Sequence, residues 1–573
     1  MNNSDRSRLL TVWGLLVAAA LGLGCRLYYL QIIEGEELRD KARQQQTVNL
    51  RPYIPRRAIV DDRGNVIATD RIVFELYAHP QQFKIPTEEV AKKLAKILDN
   101  YTANKLVKIF NSQKSGIRLA YALPEAKAEQ ISRLALDGLE SIEHYYRYYP
   151  QEETFADVIG YVKRGEHQGK AGIEYSQQTL LERPLSKFKV TRYGNGAVIP
   201  EHVPPGLLKV DELKLQLTLN MRLQRAARSA LKKQIKKFNG KRGAAIVMDV
   251  RDGSILALVC EPTFNPNKYG QYDLELFKNW AVSDLYEPGS TFKPIVVAIA
   301  LDAKVIQPDT IIDDTGKIKI DGWNIYNHDY WNDRKGRGEI GLAKILQHSS
   351  NVGMIKIVEK LERADYYQKL ENLGLKEKVG VDLPGDAPGH LKNKKLFTSK
   401  EIEAATASFG QGLSLTPLKL AQLHAAIANG GKLVTPHLVR GLVDFEGQIH
   451  WQPRLKERTI FSDLTSRNVL EMMETVVTEG SGKKAIIEGY RIAGKTGTAQ
   501  KASKSGGYKP GAKIVSFVAI LPVEDPRYVV LTLVDEPRKP NAYGSTVAAP
   551  IAKSIMEALI SIEGLPPTTV KKN

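Results

Sequence analysis

The chain has 573 residues, 43% of them hydrophobic and 25% charged, which suits a globular protein of two or three domains and excludes a largely disordered one. Its net charge of +18 fits an anionic membrane surface, an anionic polymer or nucleic acid. The basic residues are dispersed, with short runs such as Lys232-Lys233 and Lys394-Lys395, and no zinc-ligand cluster or nucleic-acid signature accompanies them; neither nucleic acid nor a metal or other cofactor is expected.

The chain opens on an apolar stretch. Leu9 to Cys25 carries no charge, Arg26 interrupts, and Leu27 to Ile33 resumes. Residues 9–31 are predicted to form one transmembrane anchor, which needs about 20 such residues. Arg26 can snorkel to the interface beside Tyr28 and Tyr29. Arg6 and Arg8, in the tail 1–8, favour a cytoplasmic N-terminus. The expectation is a single-pass protein of the cytoplasmic (inner) membrane, with its bulk in the periplasm or extracytoplasmic space. A cleaved signal peptide needs a small-residue exit, which is missing after the run. A lipoprotein reading would use Gly22-Leu23-Gly24-Cys25, where Gly22 replaces the usual Leu. Cys25 and Cys260 lie far apart, so no disulfide is expected.

Residues 34–50 are polar and helix-friendly, a stalk. Up to Pro205 the texture is mixed: a strand at Ala58-Ile59-Val60, a turn at Asp62 to Asn65, a strand at Val66-Ile67-Ala68 and a helix near Val90 to Leu98. Pro204-Pro205-Gly206 marks a linker. Beyond Leu213 the pattern changes. A strand at Leu215 to Leu219 precedes an amphipathic helix from Met221 to Ile235. Ala244 to Asp249 and Ser254 to Val259 read as a hairpin through Val250-Arg251-Asp252-Gly253. Ile514 to Ile520 and Tyr528 to Val534 read as a second strand pair, and Ala548 to Ile562 as a closing helix. Strands at both ends with helices between predict an α/β (α+β) domain over 213–565, an antiparallel sheet flanked by helices, with a tail at 566–573.

Three short elements in that domain carry chemistry. In Glu287-Pro288-Gly289-Ser290-Thr291-Phe292-Lys293, Ser290 falls at the N-terminus of the helix predicted over Ile295 to Leu301, with Lys293 one turn on. A serine nucleophile needs a base within reach. Burial and the positive end of the helix dipole both favour a neutral lysine. Ser-x-x-Lys alone is cheap: it also occurs at Ser186–Lys189, Ser229–Lys232 and Ser481–Lys484. In Ser349-Ser350-Asn351, a hydroxyl could shuttle a proton and the amide could hold a substrate carbonyl or N–H; helix capping is the competing explanation. In Gly494-Lys495-Thr496-Gly497-Thr498, glycines permit close backbone approach on an edge strand. Lys495 and the threonine hydroxyls suit a carboxylate, and the Thr498 N–H could complete an oxyanion hole with that of Ser290.

Ser-x-x-Lys, Ser-x-Asn and Lys-Thr-Gly, in this order, form the signature shared by penicillin-binding proteins and class A β-lactamases. The chain resembles the class B penicillin-binding proteins, most closely their FtsI-type division branch, over nearly its whole length. Arg57 to Asn65 looks like the opening of the family's pedestal, a dimerisation-type domain, here within 32–205. Arg147-Tyr148-Tyr149-Pro150 and Gly172-Ile173-Glu174 look like two further pedestal motifs. Gly410-Gln411-Gly412 with Leu415-Thr416-Pro417 looks like the stretch between the second and third active-site motifs. Glu287 is similar to the division type, since elongation-type relatives more often carry proline there.

The resemblance implies a peptidoglycan D,D-transpeptidase that cross-links stem peptides at the septum, with the elongation role as the alternative. Ser290 would be the acylated nucleophile, Lys293 its base, and Ser349 with Asn351 would assist proton transfer and substrate binding. Lys495, Thr496, Gly497 and Thr498 would bind the terminal D-Ala. β-Lactams would trap Ser290. No glycosyltransferase segment precedes residue 213, so an FtsW-type membrane glycosyltransferase is the implied partner, with other division proteins. A class A hydrolase would need a Glu-x-x-Leu-Asn stretch, which is missing, and the intact trio argues against a non-catalytic wall scaffold. Glu152 and Asp157 stand where relatives often have Gly and His, and Asn220 where Asp is common.

Overall fold

The protein is described by a computed structural model covering residues 3–50, 54–183, 188–191, 211–502 and 507–568. The linker at Pro204-Pro205-Gly206 and the serine of the Ser186–Lys189 pair lie outside the described residues. The chain forms two compact units, one of residues 1–55 with 183–211 and one of 56–182 with 212–573.

In the first unit a helix over Asn3–Tyr28 runs through a π turn at Tyr29–Ile33 to a helix at Gly35–Gln46. Strand Thr47–Leu50 then pairs antiparallel with Phe188–Thr191. Arg6–Ile33 has a mean hydropathy of 1.8, and Leu10, Trp13, Leu16 and Leu21 on it are exposed. It is long and apolar enough to cross a membrane. The helix ending at Glu563 reaches similar hydropathy, but Ile551, Ile555 and Leu559 pack fully into the core.

The second unit is organised by a five-stranded antiparallel sheet, in the order Ala493–Ala502, Tyr508–Leu521, Tyr528–Asp535, Arg242–Asp249, Ile255–Glu261. Strand alternation explains the layers on either side. Ala244, Ile246, Val518, Leu531 and Leu533 face helices Lys293–Asp302, Pro417–Ala428 and Asp463–Thr478. Ala245, Val247, Phe517 and Val530 face helices Met221–Phe238 and Ala549–Glu563. The helices are thus apolar on the sides that meet a sheet already buried on both faces. Of the two cysteines, Cys25 is exposed and Cys260 buried, and both are free.

A seven-stranded sheet forms the other part of this unit. Its strand Ile59–Val60 pairs in parallel with Lys214–Leu217, joining residues distant in sequence. The strand expected at Val66 to Ala68 extends to Ala78. Asp70, Arg71 and Glu75 break its apolar alternation, yet Asp70 is satisfied inside by Arg147 at 3.0 Å. The helix expected from Val90 starts earlier, at Thr87, because Pro86 and the acidic Glu88 and Glu89 suit its N-terminus. The strand expected to reach Leu219 ends at Leu217, where Asn220 caps the next helix by accepting from Leu223 N at 3.1 Å.

Asn220 Nδ2 also donates to Asp62 at 2.9 Å. An aspartate there would cap as well but would set two carboxylates face to face. Glu152 adopts φ 47°, a left-handed conformation that glycine accepts freely. Asp157 is buried and accepts from Arg228, Cys260 N and Thr263, so its charge is met by an arginine.

The three pedestal-type motifs meet in one buried ionic cluster. Glu174 accepts from Arg147 at 2.6 Å and Arg56 at 3.0 Å, and the Arg147 guanidinium also reaches the Arg57 carbonyl at 3.1 Å. Removing one partner of such a cluster strands the others in a low-dielectric interior. Glu174→Ala is expected to destabilise this unit by about 3–5 kcal/mol, seen as a lower urea midpoint.

Candidate active site

Ser290 sits on a single turn, Gly289–Phe292, that leads into the helix Lys293–Asp302. The turn is pinned from the opposite side. Gly289 has φ 57° and donates its N–H to the Gly410 carbonyl at 2.9 Å. A Cβ on Gly410 would lie 2.2 Å from Gly289 O, so only glycine permits this approach. Tyr286 and Leu415 exchange backbone hydrogen bonds, and Thr416 caps the helix Pro417–Ala428 through Lys419 N. From that helix, buried His424 donates Nε2–H to the Thr291 carbonyl at 2.8 Å. Burial lowers its pKa to about 4, so it stays neutral as a brace.

Lys293 is fully buried. Its Nζ donates to Ser349 O at 2.5 Å, Asn351 Oδ1 at 2.8 Å and Ser349 Oγ at 3.2 Å. Lys495, also fully buried, donates to Ser349 Oγ at 3.0 Å and Thr496 O at 3.1 Å. One hydroxyl therefore bridges two lysines. Burial, and then the Lys495 charge, pulls the Lys293 pKa well below its usual value. Burial lowers that of Lys495 to about 7. Both lysines therefore release their protons more readily than an ordinary lysine.

Ser349 holds its position at φ 57°, ending the helix Leu342–His348. Ser350, and neither Ser349 nor Asn351, caps the following helix, accepting from Gly353 N at 2.8 Å. Thr496 and Thr498 lie on the strand Ala493–Ala502 at the edge of the five-stranded sheet. Thr496 shares a 2.6 Å hydrogen bond with Ser481. Thr498 is exposed and accepts weakly from Gly544 N at 3.4 Å. A Cβ on Gly497 would meet Thr291 Cγ2 at 2.9 Å and Ser516 Oγ at 2.4 Å, so this glycine lets the strand lie against the Ser290 turn.

The fold thus brings Lys293, Ser349, Asn351 and Lys495 into one hydrogen-bonded set beside the Ser290 turn. Ser290 is half-buried, and Lys293 is engaged with the Ser-x-Asn loop. Of the other Ser-x-x-Lys pairs, Ser229–Lys232 lies on the helix Met221–Phe238, while Ser481 touches the site through Thr496.

The chain matches the model described as "Penicillin binding protein transpeptidase domain" over residues 243–557 and the "Penicillin-binding Protein dimerisation domain" over 53–194. It is 41% identical to "Peptidoglycan D,D-transpeptidase FtsI homolog" of Mesostigma viride, covering 98% of this chain and 97% of that protein. It belongs to the penicillin-binding protein transpeptidase family. It is also 31% identical to "Stage V sporulation protein D" of Bacillus subtilis, covering 99% of this chain and 87% of that one. The fold is similar to that of penicillin-binding protein 3 from Mycobacterium tuberculosis in complex with aztreonam, with a TM-score of 0.67, 23% identity and coverage of 91% and 98%.

In this penicillin-binding protein, sequence reasoning missed the support beneath Ser349-Ser350-Asn351. Asn327 Oδ1 accepts from Asn351 N at 2.8 Å, Val352 N at 3.1 Å and Ser350 Oγ at 3.2 Å. Its own amide donates to fully buried Asp314 at 2.8 Å and 2.9 Å. Asp314 also favours the charged form of Lys293. The short loop carrying the hydroxyl is thereby bolted to a buried carboxylate. Asp314-Thr315-Gly316 is readable as a turn, but nothing local ties it to a loop so distant in sequence.

In the roles expected from the sequence, Lys293 as base must be deprotonated and Lys495 as carboxylate holder must be charged. The second-order rate constant for β-lactam acylation is therefore expected to fall on the alkaline side as Lys495 loses its proton near 7. Its base remains available at pH values where an ordinary lysine is protonated, because the Lys293 pKa is lowered. In Lys495→Arg, whatever its absolute rate, the alkaline limb disappears, because an arginine does not titrate there. Stopped-flow acylation across pH tests this.

Proposed function

We propose that this chain is a serine D,D-transpeptidase of peptidoglycan in which Ser290 carries the acyl group. The observation that supports it most is the pair of buried lysines sharing the Ser349 hydroxyl beside the Ser290 turn. Neutral Lys293 takes the Ser290 proton as Oγ attacks the carbonyl of the penultimate D-Ala. The oxyanion is received by the N–H groups of Ser290 and Thr498. Charged Lys495, with Thr496 and Thr498, holds the terminal carboxylate. Gly497 keeps the strand close to the nucleophile, and Asn351 holds the donor backbone. As the C–N bond breaks, the proton passes from Lys293 through Ser349 to the departing D-Ala amine. The amine of a neighbouring stem peptide then attacks the ester, giving up its proton by the same route, and Ser290 is released.

The reading extends to the setting. The helix within residues 9–31 anchors the chain in the cytoplasmic membrane with its N-terminus inside. A stalk and pedestal over 32–205 carry a catalytic domain over 213–565 outside. An FtsW-type membrane glycosyltransferase supplies the glycan strands. The division role is supported by the Mesostigma viride relative's name and by Glu287.

Fluorescent penicillin is expected to give a stable covalent band with the wild type and none with Ser290→Ala. No band from folded wild type would overturn the acyl-enzyme reading, and a band surviving in the variant would move the nucleophile elsewhere. Depletion in the native cell is expected to leave cells undivided; round, swollen cells would assign the protein to elongation instead.

A further inference from the structure

The helix Met221–Phe238 turns one face to the core, where Leu223, Ala227 and Leu231 are buried. Its exposed side chains are Ser229 and six cations: Arg222, Arg225, Lys232, Lys233, Lys236 and Lys237. No aspartate or glutamate occurs on the helix. None of the four lysines makes an ion pair or a side-chain hydrogen bond among the described residues. Glu261, whose carboxyl group feels the Lys232 charge, is already paired with Arg228 at 2.8 Å.

This pattern works against the helix that carries it. Lys232 with Lys236, and Lys233 with Lys237, are like charges four residues apart, which is destabilising. Arg222 and Arg225 stand near the end where the helix dipole is already positive. A helix that needed only solvation would do better with mixed signs. The stripe also shows no exposed apolar side chain that could enter a bilayer.

The fold extends the stripe at its C-terminal end. Arg538 and Lys539 donate their backbone N–H groups to the Phe238 carbonyl at 3.0 and 3.3 Å, and both side chains are exposed. Lys241, also exposed, donates its N–H to the Asp535 carbonyl at 2.9 Å. Cations from two segments distant in sequence are thus gathered on one surface.

That surface joins the catalytic sheet at a defined place. Arg242 is opposite Asp535, Asp535 opposite Ile514, and Ile514 opposite Ala499, the residue after Thr498. Three strand spacings, about 14 Å in all, therefore separate the end of the stripe from the strand that carries Lys-Thr-Gly. From Arg222 to Lys236 the stripe itself runs about 21 Å.

Resting on the transpeptidase reading, we infer that this basic stripe is a second contact for the polymer whose stem peptide occupies the active site: an uncross-linked peptidoglycan strand bearing free stem carboxylates. With one stem in the cleft, neighbouring stems of the same strand lie over the stripe. Their carboxylates meet the lysine ammoniums in solvent. Lysine is a point charge without arginine's bidentate fork, so the stripe reads charge density and not a particular group. Two contacts on one polymer raise the effective concentration of the stem at Ser290.

The test uses the whole protein in detergent and soluble uncross-linked peptidoglycan strands as the probe. Three forms are compared: the native stripe, a fourfold variant with Lys232→Gln, Lys233→Gln, Lys236→Gln and Lys237→Gln, and the same four positions changed to arginine. Binding is measured with Ser290→Ala in each, so that strands are held and not consumed. Matching proteins with Ser290 intact are acylated with penicillin, which reports the fold and the active site. The glutamine variant is expected to weaken Kd for the strands by about tenfold, from four exposed charge contacts worth about twofold each, with penicillin acylation unchanged. The arginine variant is expected to stay within about twofold of the native stripe, because the charge is kept. Added salt weakens binding by the native stripe more than by the glutamine variant, and amidating the stem carboxylates removes the difference between them. Equal Kd for the native stripe and the glutamine variant, in protein that penicillin acylates, would overturn the inference and leave the transpeptidase reading standing. So would a difference that survives amidation, or tighter glutamine-sensitive binding to anionic phospholipid vesicles than to the strands, which would assign the stripe to a lipid surface. Failure of penicillin to acylate folded wild type would remove the transpeptidase reading itself.

Discussion

Two lysines buried around one serine hydroxyl are the constraint on which this site depends. Lys293 and Lys495 come from a helix and an edge strand distant in sequence, and both reach Ser349 Oγ. Neither side chain has solvent to stabilise its charge, and like charges this close disfavour one another. Both are therefore pushed toward the neutral form. The proposed acyl transfer needs a base on one side of the cleft and a positive charge on the other. A single buried lysine would supply one or the other.

The scaffold exists to hold that juxtaposition. The edge strand is fixed by its register, with Lys495 opposite Val518 and Thr496 opposite Phe517, in a sheet packed on both faces. The Ser290 turn is fixed by glycines, at Gly289, Gly410 and Gly497, because backbone must approach backbone more closely than any Cβ allows. The Ser-x-Asn loop has no such neighbours. It is held instead by Asn327, which collects three donors of the loop and spends its own amide on Asp314. Losing either partner would leave polar groups unpaired in a dry interior, which costs more than the bond itself contributes.

Much of this was legible in the sequence, and the limits follow a pattern. The Ser290, Ser349 and Lys495 segments could be read because each is local and each needs a particular residue type at a particular spacing. Strands such as Tyr528 to Val534 could be read because both faces are buried and the run is apolar throughout. What could not be read are partnerships across sequence distance. Asp314 with Asn327, and Glu174 with Arg56 and Arg147, look like surface polars in a linear chain. The strand Val66–Ala78 outruns its apolar alternation for the same reason, since Asp70 interrupts the pattern while its buried partner Arg147 lies far along the chain. Ser481 looks in sequence like part of a chance Ser-x-x-Lys pair, yet its hydroxyl meets Thr496.

The departures from the family pattern show the same logic from the other side. Asn220 is tolerated because the duty at that position is to cap a helix, and the amide adds a bond to Asp62 that a carboxylate could not make. Asp157 is tolerated because Arg228 supplies the opposite charge. Asn220 and Asp157 each have an identifiable partner, and neither lies in the Lys293–Ser349–Lys495 set. Glu287 stands between these cases. It is anchored to Gly412 and Tyr508 and borders the nucleophile's turn, yet its carboxylate faces a cavity rather than the reacting hydroxyl. Its hydrogen bonds run to Gly412 N and Tyr508 Oη and not to the Lys293–Ser349–Lys495 set.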